Sequence, residues 1–140
     1  PATETVARFL GFRNLLPGAV QRSEVGWGDR REPTAVSVTT PLGTLLAADV
    51  QLHPREGQSV TVLIRPEAAT IAPATSDEPN VIEGALEEIS FRGSYYLVTI
   101  AHDHQTRLVT ELVLDSSRLP AVGQSIKLQL NPWAITVLPG

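Results

Sequence analysis

The sequence contains no cysteine and no methionine. Without thiols there is no disulfide framework and no thiolate metal site, a composition that fits a reducing compartment. Aromatic residues are scarce, with three Phe, two Tyr and two Trp in 140 residues, too little material for a base-stacking platform. Positive charge is also in deficit. Eleven Lys and Arg face 15 Asp and Glu, and the net charge of −4 has the wrong sign for neutralising a row of phosphates, so nucleic acid is not an expected partner. No run of about 18 or more apolar residues is present, and no charged, apolar, small-residue leader opens the chain, so neither a membrane span nor a signal peptide is expected. A chain that opens on Pro1 and has no Met reads as an excised piece or processed product of a longer protein.

Turn formers are plentiful by contrast. Eleven prolines and ten glycines punctuate short runs of alternating apolar residues, the pattern of an all-β fold, and 140 residues can bury a core unaided. The chain also repeats itself. The segment Gly57 to Pro73, GQSVTVLIRPEAATIAP, returns as GQSIKLQLNPWAITVLP from Gly123 to Pro139, a displacement of 66 positions. The same displacement carries Asn14 onto Asn80, Gly18 onto Gly84, Ala19 onto Ala85, Thr44 onto Thr110 and Pro54 onto Pro120 without a gap. One register that holds from both ends is the mark of a tandem duplication.

Read twice, the side-chain period predicts strands. Val60, Val62 and Ile64 alternate with Thr61 and Leu63, and Ile126, Leu128 and Leu130 alternate with Lys127 and Gln129. Pro66 and Pro132 stop these strands because proline gives the ladder no N–H, and AATIA and AITVL read as short closing strands. Further strands are predicted near 15–22, 36–39, 44–50, 81–90, 95–101 and 108–114. About five short strands per copy match a small, partly closed barrel of the OB type, which limits exposed edges by curling the sheet, with a sandwich as the rival arrangement. The expected organisation is therefore a short helix over 1–12, a first OB-like repeat over 13–79 ending in the polar linker ATSDEP, and a second over 80–140, with strands free to be exchanged between them. The helix would be capped by Thr3, share a face among Val6, Phe9 and Leu10, and stop at Gly11.

Chemistry-bearing residues are few. Arg65-Pro66-Glu67 places opposite charges around a rigid proline, either as a contact for a neighbouring domain or as an ion pair closing a turn; its counterpart Asn131-Pro132-Trp133 carries no charge. His102-Asp103-His104 has metal-ligand residue types without a third ligand at metal spacing, and reads as a hairpin tip in water. Trp27, and Phe91-Arg92-Gly93 with Tyr95-Tyr96, fall at matching places in the two copies, where they either pack a turn or mark a partner surface. No catalytic residues, metal site or cofactor site are assigned: GQSIKL at 123–128 lacks the second glycine and the Lys-Ser/Thr pair of a phosphate loop.

Taken in order, VARFLGFRNLLPGAV (6–20), VLIRPEAATIAP (62–73) and NVIEGALEEISFRGSYYLVTI (80–100) resemble the transport-associated OB region that follows the ATPase domain in import-type ABC ATPases. The resemblance implies a non-catalytic regulatory and dimerisation domain, with residues 1–12 as the tail of the nucleotide-binding domain. Its implied partners are that domain, a second ATPase subunit, the membrane permease through the parent protein, and a regulatory protein or small ligand. ATP and Mg would belong to the nucleotide-binding domain, and the parent would sit peripherally on the cytoplasmic face of the membrane. Phe9, Phe12, Arg13 and Asn14 are candidate interface residues near the start of the chain. Trp27, Arg65, Glu67 and Tyr95 complete the set. Arg13-Asn14 before LLPGAV is also similar to the opening of molybdate-binding domains, and this gives the alternative of a small-ligand or oxyanion module; Asn14 would otherwise bond a turn backbone, as would Asn80.

Overall fold

The computed structural model describes residues 14–25, 33–50 and 54–140, and it is all-β. The expected helix over 1–12 lies outside the described residues. The strands are β1 (Leu15–Val25), β2 (Pro33–Thr40), β3 (Gly43–Ala47), β4 (Asp49–Val50), β5 (Ser59–Ile64) and β6 (Ala69–Ile71), followed by β7 (Val81–Phe91), β8 (Tyr96–Ala101), β9 (Arg107–Leu112), β10 (Ser125–Leu130) and β11 (Ile135–Pro139). They form two OB-like small barrels, one on a six-stranded sheet of order β3-β2-β1-β5-β11-β4 and the other on a five-stranded sheet of order β6-β10-β7-β8-β9. Among the described residues all pairings are antiparallel except β4 with β11.

The compact units do not follow the boundary of the repeat at 79/80. One unit comprises Pro1–Arg65 with Pro132–Gly140, and the other Pro66–Asn131. The chain leaves the first unit at Arg65–Pro66 and returns at Asn131–Pro132, positions related by the same shift of 66 residues. Each copy thus gives its closing strand to the other unit: β6 pairs with β10, and β11 pairs with β5. After each crossing a single 3-10 turn, Pro66–Ala68 or Pro132–Ala134, starts with the proline, whose fixed φ suits the first position and whose missing N–H is not needed there.

The duplication is visible bond by bond. Val20 N–H donates to Gln58 O at 2.9 Å, and Leu86 N–H to Gln124 O at 2.8 Å. Gly57 N–H donates to Val20 O and Gly123 N–H to Leu86 O, both at 2.7 Å, with φ of 84° and 93° at the two glycines, a backbone region closed to most side chains. The first long strand of each copy carries a β-bulge at the same place, between Val20 and Arg22 in β1 and between Leu86 and Glu88 in β7. Bulges bend and twist a strand, which lets a small sheet curl.

In the second unit the period of two is kept: β8, β9 and β10 alternate buried and part-exposed residues, with Val98, Ile100, Leu108, Leu128 and Leu130 fully buried. In the first unit β5 departs from the alternation expected for it. Thr61 and Leu63 are each 7% exposed, so both faces of this strand are covered. Their counterparts Lys127 and Gln129 instead reach the linker, Lys127 Nζ donating to Ser76 O at 3.0 Å and Gln129 Nε2 to Pro79 O at 2.9 Å. The single strand expected over 44–50 is broken at Ala48, whose N–H goes to Pro132 O at 2.8 Å, and β4 then runs beside β11.

Candidate functional site

Of the candidate interface residues, Phe9, Phe12, Arg13 and Trp27 lie outside the described residues. Asn14 sits inside the first unit. It is 3% exposed, and its side-chain amide donates to Ile64 O at 3.1 Å while Ile64 N–H donates to Asn14 O at 3.0 Å. Asn80 makes the equivalent bonds with Leu130, at 3.3 and 2.9 Å, so both asparagines close the end of a strand pair from inside a unit.

Arg65 and Glu67 separate. Arg65 belongs to the first unit, where its guanidinium donates to Trp133 O rather than to a turn-closing Glu67, and its buried Nε has no hydrogen-bond partner. Glu67 belongs to the second unit and is exposed. There the fold brings it together with Tyr95, 28 positions away. Both line a cleft of about 490 Å³ with Thr70, Ile71, Glu111 and Val113. The cleft lies where the curled sheet brings its edge strands β6 and β9 close without pairing them. Its walls mix aliphatic and aromatic surface with two carboxylates, and no Lys or Arg lines it. The whole unit leans the same way, with nine Asp and Glu against four Lys and Arg.

Sequence reasoning found Glu67 and Tyr95 but missed Ile71, Glu111 and Val113. Ile71 read as an ordinary apolar residue of a closing strand, and only the strand order shows that it sits on an outer edge. Phe91 is 63% exposed with its ring 5.1 Å from that of Tyr96, which is itself buried and bonded through its hydroxyl to Ser116 Oγ at 2.9 Å.

His102-Asp103-His104 forms the tip between β8 and β9. Asp103 Oδ1 accepts from the N–H groups of Gln105 and Thr106, both at 2.8 Å, and the Gln105 N–H above all holds its carboxyl below the ordinary value. His102 Nδ1 lies 2.8 Å from Glu83 O, and Arg107 pairs with Glu87 at 2.7 Å. Among the described residues no group of three His, Asp or Glu is placed to hold a metal ion.

The model of the TOBE domain matches residues 62–138, more than half of the chain. The chain belongs to the TOBE domain family. This TOBE domain is 29% identical over 99% of its length to the Fe(3+) ions import ATP-binding protein FbpC of Photorhabdus laumondii, and 28% identical over its full length to the protein of that name from Streptomyces coelicolor. It is 26% identical to the spermidine/putrescine import ATP-binding protein PotA of Pseudomonas fluorescens over 99% of its length. It spans about a third of the length of these relatives, 34%, 34% and 36% respectively. Its fold is similar to that of the cytoplasmic molybdate-binding protein ModG, with a TM-score of 0.72 over 93% of this chain and 98% of that one, at 16% identity.

Proposed function

We propose that this TOBE domain is the C-terminal, non-catalytic regulatory and dimerisation domain of an ATP-binding subunit that drives solute import. One observation carries the reading: essentially the whole chain aligns with the ATP-binding proteins of ferric-ion and polyamine importers, yet spans only a third of each. ATP and Mg would act in the portion of the parent that this chain does not span. The parent would sit peripherally on the cytoplasmic face of the membrane and pair with a second subunit and the permease. Among the described residues no helix is long and apolar enough to cross a membrane. Regulation would be linkage: a ligand or protein that binds one arrangement of the ATPase dimer more tightly shifts turnover by its differential affinity.

Light scattering across a concentration series tests the dimerisation part. A concentration-dependent dimer supports it, and a monomer throughout the series removes it. The likeness to ModG keeps a second reading in view, oxyanion binding, although Asn14 is already engaged by Ile64. Adding molybdate or sulfate to the same series decides that reading. An anion-induced change of mass supports it, and indifference with no heat in calorimetry ends it.

A further inference from the structure

The two copies treat the outer edge of their exchanged strand differently. In the first unit β11 is covered on that side by β4, with Thr136 opposite Asp49 and Val137 opposite Val50, and Thr136 Oγ1 donates to Asp49 Oδ2 at 2.7 Å. Val137 is 0% exposed, as is Ala47 at the end of β3. Shifted by 66, Thr136 and Val137 become Thr70 and Ile71 of β6, and Asp49 and Val50 become Asp115 and Ser116. The second unit does not repeat the pairing. Asp115 turns back to cap the 3-10 turn Ser116–Arg118, accepting from the Ser117 N–H at 3.0 Å and hydroxyl at 2.7 Å. Ile71 is consequently 48% exposed, and Val113, the counterpart of Ala47, is 87% exposed.

The backbone of β6 is oriented to match. Ala72 N–H donates to Lys127 O and Asn131 N–H to Ala68 O, so alternate positions 68, 70 and 72 face β10; the N–H of Ala69 closes the 3-10 turn that starts at Pro66, and the Ala69 C=O with the N–H and C=O of Ile71 are directed to the outer side. Among the described residues no strand pairs with that side. It borders the cleft that holds Glu67 and Glu111 without a cation.

We propose that the outer edge of β6 accepts an extended segment of a partner protein, added in the parallel sense that β4 adopts beside β11. Backbone bonds to the Ala69 C=O and to the N–H and C=O of Ile71 would hold the segment. An aliphatic side chain would cover Ile71 and Val113 as Val50 covers Val137, and a neighbouring Lys or Arg would meet Glu67 and Glu111. The same edge of a second copy is a poor occupant, because its unit carries the same excess of carboxylates. The inference stands on the strand edge and holds whether or not the parent is an importer subunit.

The test uses the whole chain, amide-labelled for NMR, with two acetylated and amidated probe peptides, Lys-Val-Lys-Val-Lys and Glu-Val-Glu-Val-Glu. The basic peptide is expected to bind with Kd below about 1 mM, to shift amides of 69–71 and 111–113, and to slow hydrogen exchange at Ile71. The acidic peptide is expected to do none of this. Ile71→Lys, at a half-exposed position, is expected to weaken binding by about tenfold while the amides of β8 stay in place, and Glu111→Gln to reduce the preference for the basic peptide. Equal binding of the two peptides, shifts centred elsewhere, or no saturable shift would overturn the proposal. So would slow exchange of Ile71 in the free protein, which would mean that the chain itself covers the edge, or shifts of β6 on simple dilution, which would mean that a second copy does.

Discussion

Asn80 has a φ of 67°, in the left-handed region, and its amide, like that of its counterpart Asn14, holds a carbonyl at a strand end. Asparagine tolerates that region better than a residue without a short polar side chain. Asn80→Ala removes a buried donor and adds backbone strain. Asn80→Gly removes only the donor, and the glycine variant is expected to be more stable by about 1 kcal/mol in urea denaturation. At Thr110 the expected sign reverses. This residue is 0% exposed and its Oγ1 lacks a hydrogen-bond partner. Thr110→Val removes an uncompensated buried hydroxyl and is expected to raise stability by about 1 kcal/mol in the same assay. Asp103 gives a pH signature. Its carboxyl is held below the ordinary 3.8, so its contribution to stability is present above that value and is lost as pH falls through the lowered one. The Gln105 and Thr106 amide resonances are expected to titrate with a midpoint below 3.8 and to lose that transition in Asp103→Asn.

Among the elements, β7 passes close to the backbone of its neighbour β8. A Cβ on Gly84 would stand 2.8 Å from Ala101 O and 3.0 Å from Ile100 Cδ1, so β7 can pass β8 this closely only with glycine there. Gly84→Ala presses on backbone that cannot move without disturbing the ladder leading into the bulge at Leu86–Glu88. A loss of about 1–3 kcal/mol is expected, measured by thermal unfolding. The bulge and this glycine recur in β1 as the irregularity after Val20 and as Gly18, so the curl of each sheet is built into corresponding positions of both copies.

For the whole molecule, the exchange of closing strands makes the sequence repeat and the folding unit different things. Pro66–Asn131 is continuous in sequence and contains every strand of its sheet, whereas the other unit needs Pro132–Gly140 to complete a sheet in which β11 lies between β5 and β4. Ending the chain after Asn131 removes Ile135, Val137 and Leu138, all buried. At roughly 1.5–3 kcal/mol for each such side chain, that loss is comparable to the whole stability of a small domain. In NMR spectra of this truncation, amides of residues 66–131 are expected to remain dispersed while those of 33–64 collapse. A fragment cut at the repeat boundary, 80–140, lacks β6 and is expected to fold less well than 66–131.

Much was legible in the sequence. The shift of 66 predicted a duplicated fold and like bonding of Asn14 and Asn80, and further bonds repeat with it because equivalent residues in equivalent backbone meet equivalent partners. The period of two in 126–130 and the prolines at 66 and 132 announced strands and their ends, since side-chain alternation and a missing N–H are local properties. Which sheet β6 and β11 join is not local, because the apolar residues of a short closing strand do not by themselves name the barrel they complete. The placing of Arg65 and Glu67 in different units and the position of Ile71 on an outer edge follow from that choice, and pairing across some 50 or more positions is decided only when the sheets assemble.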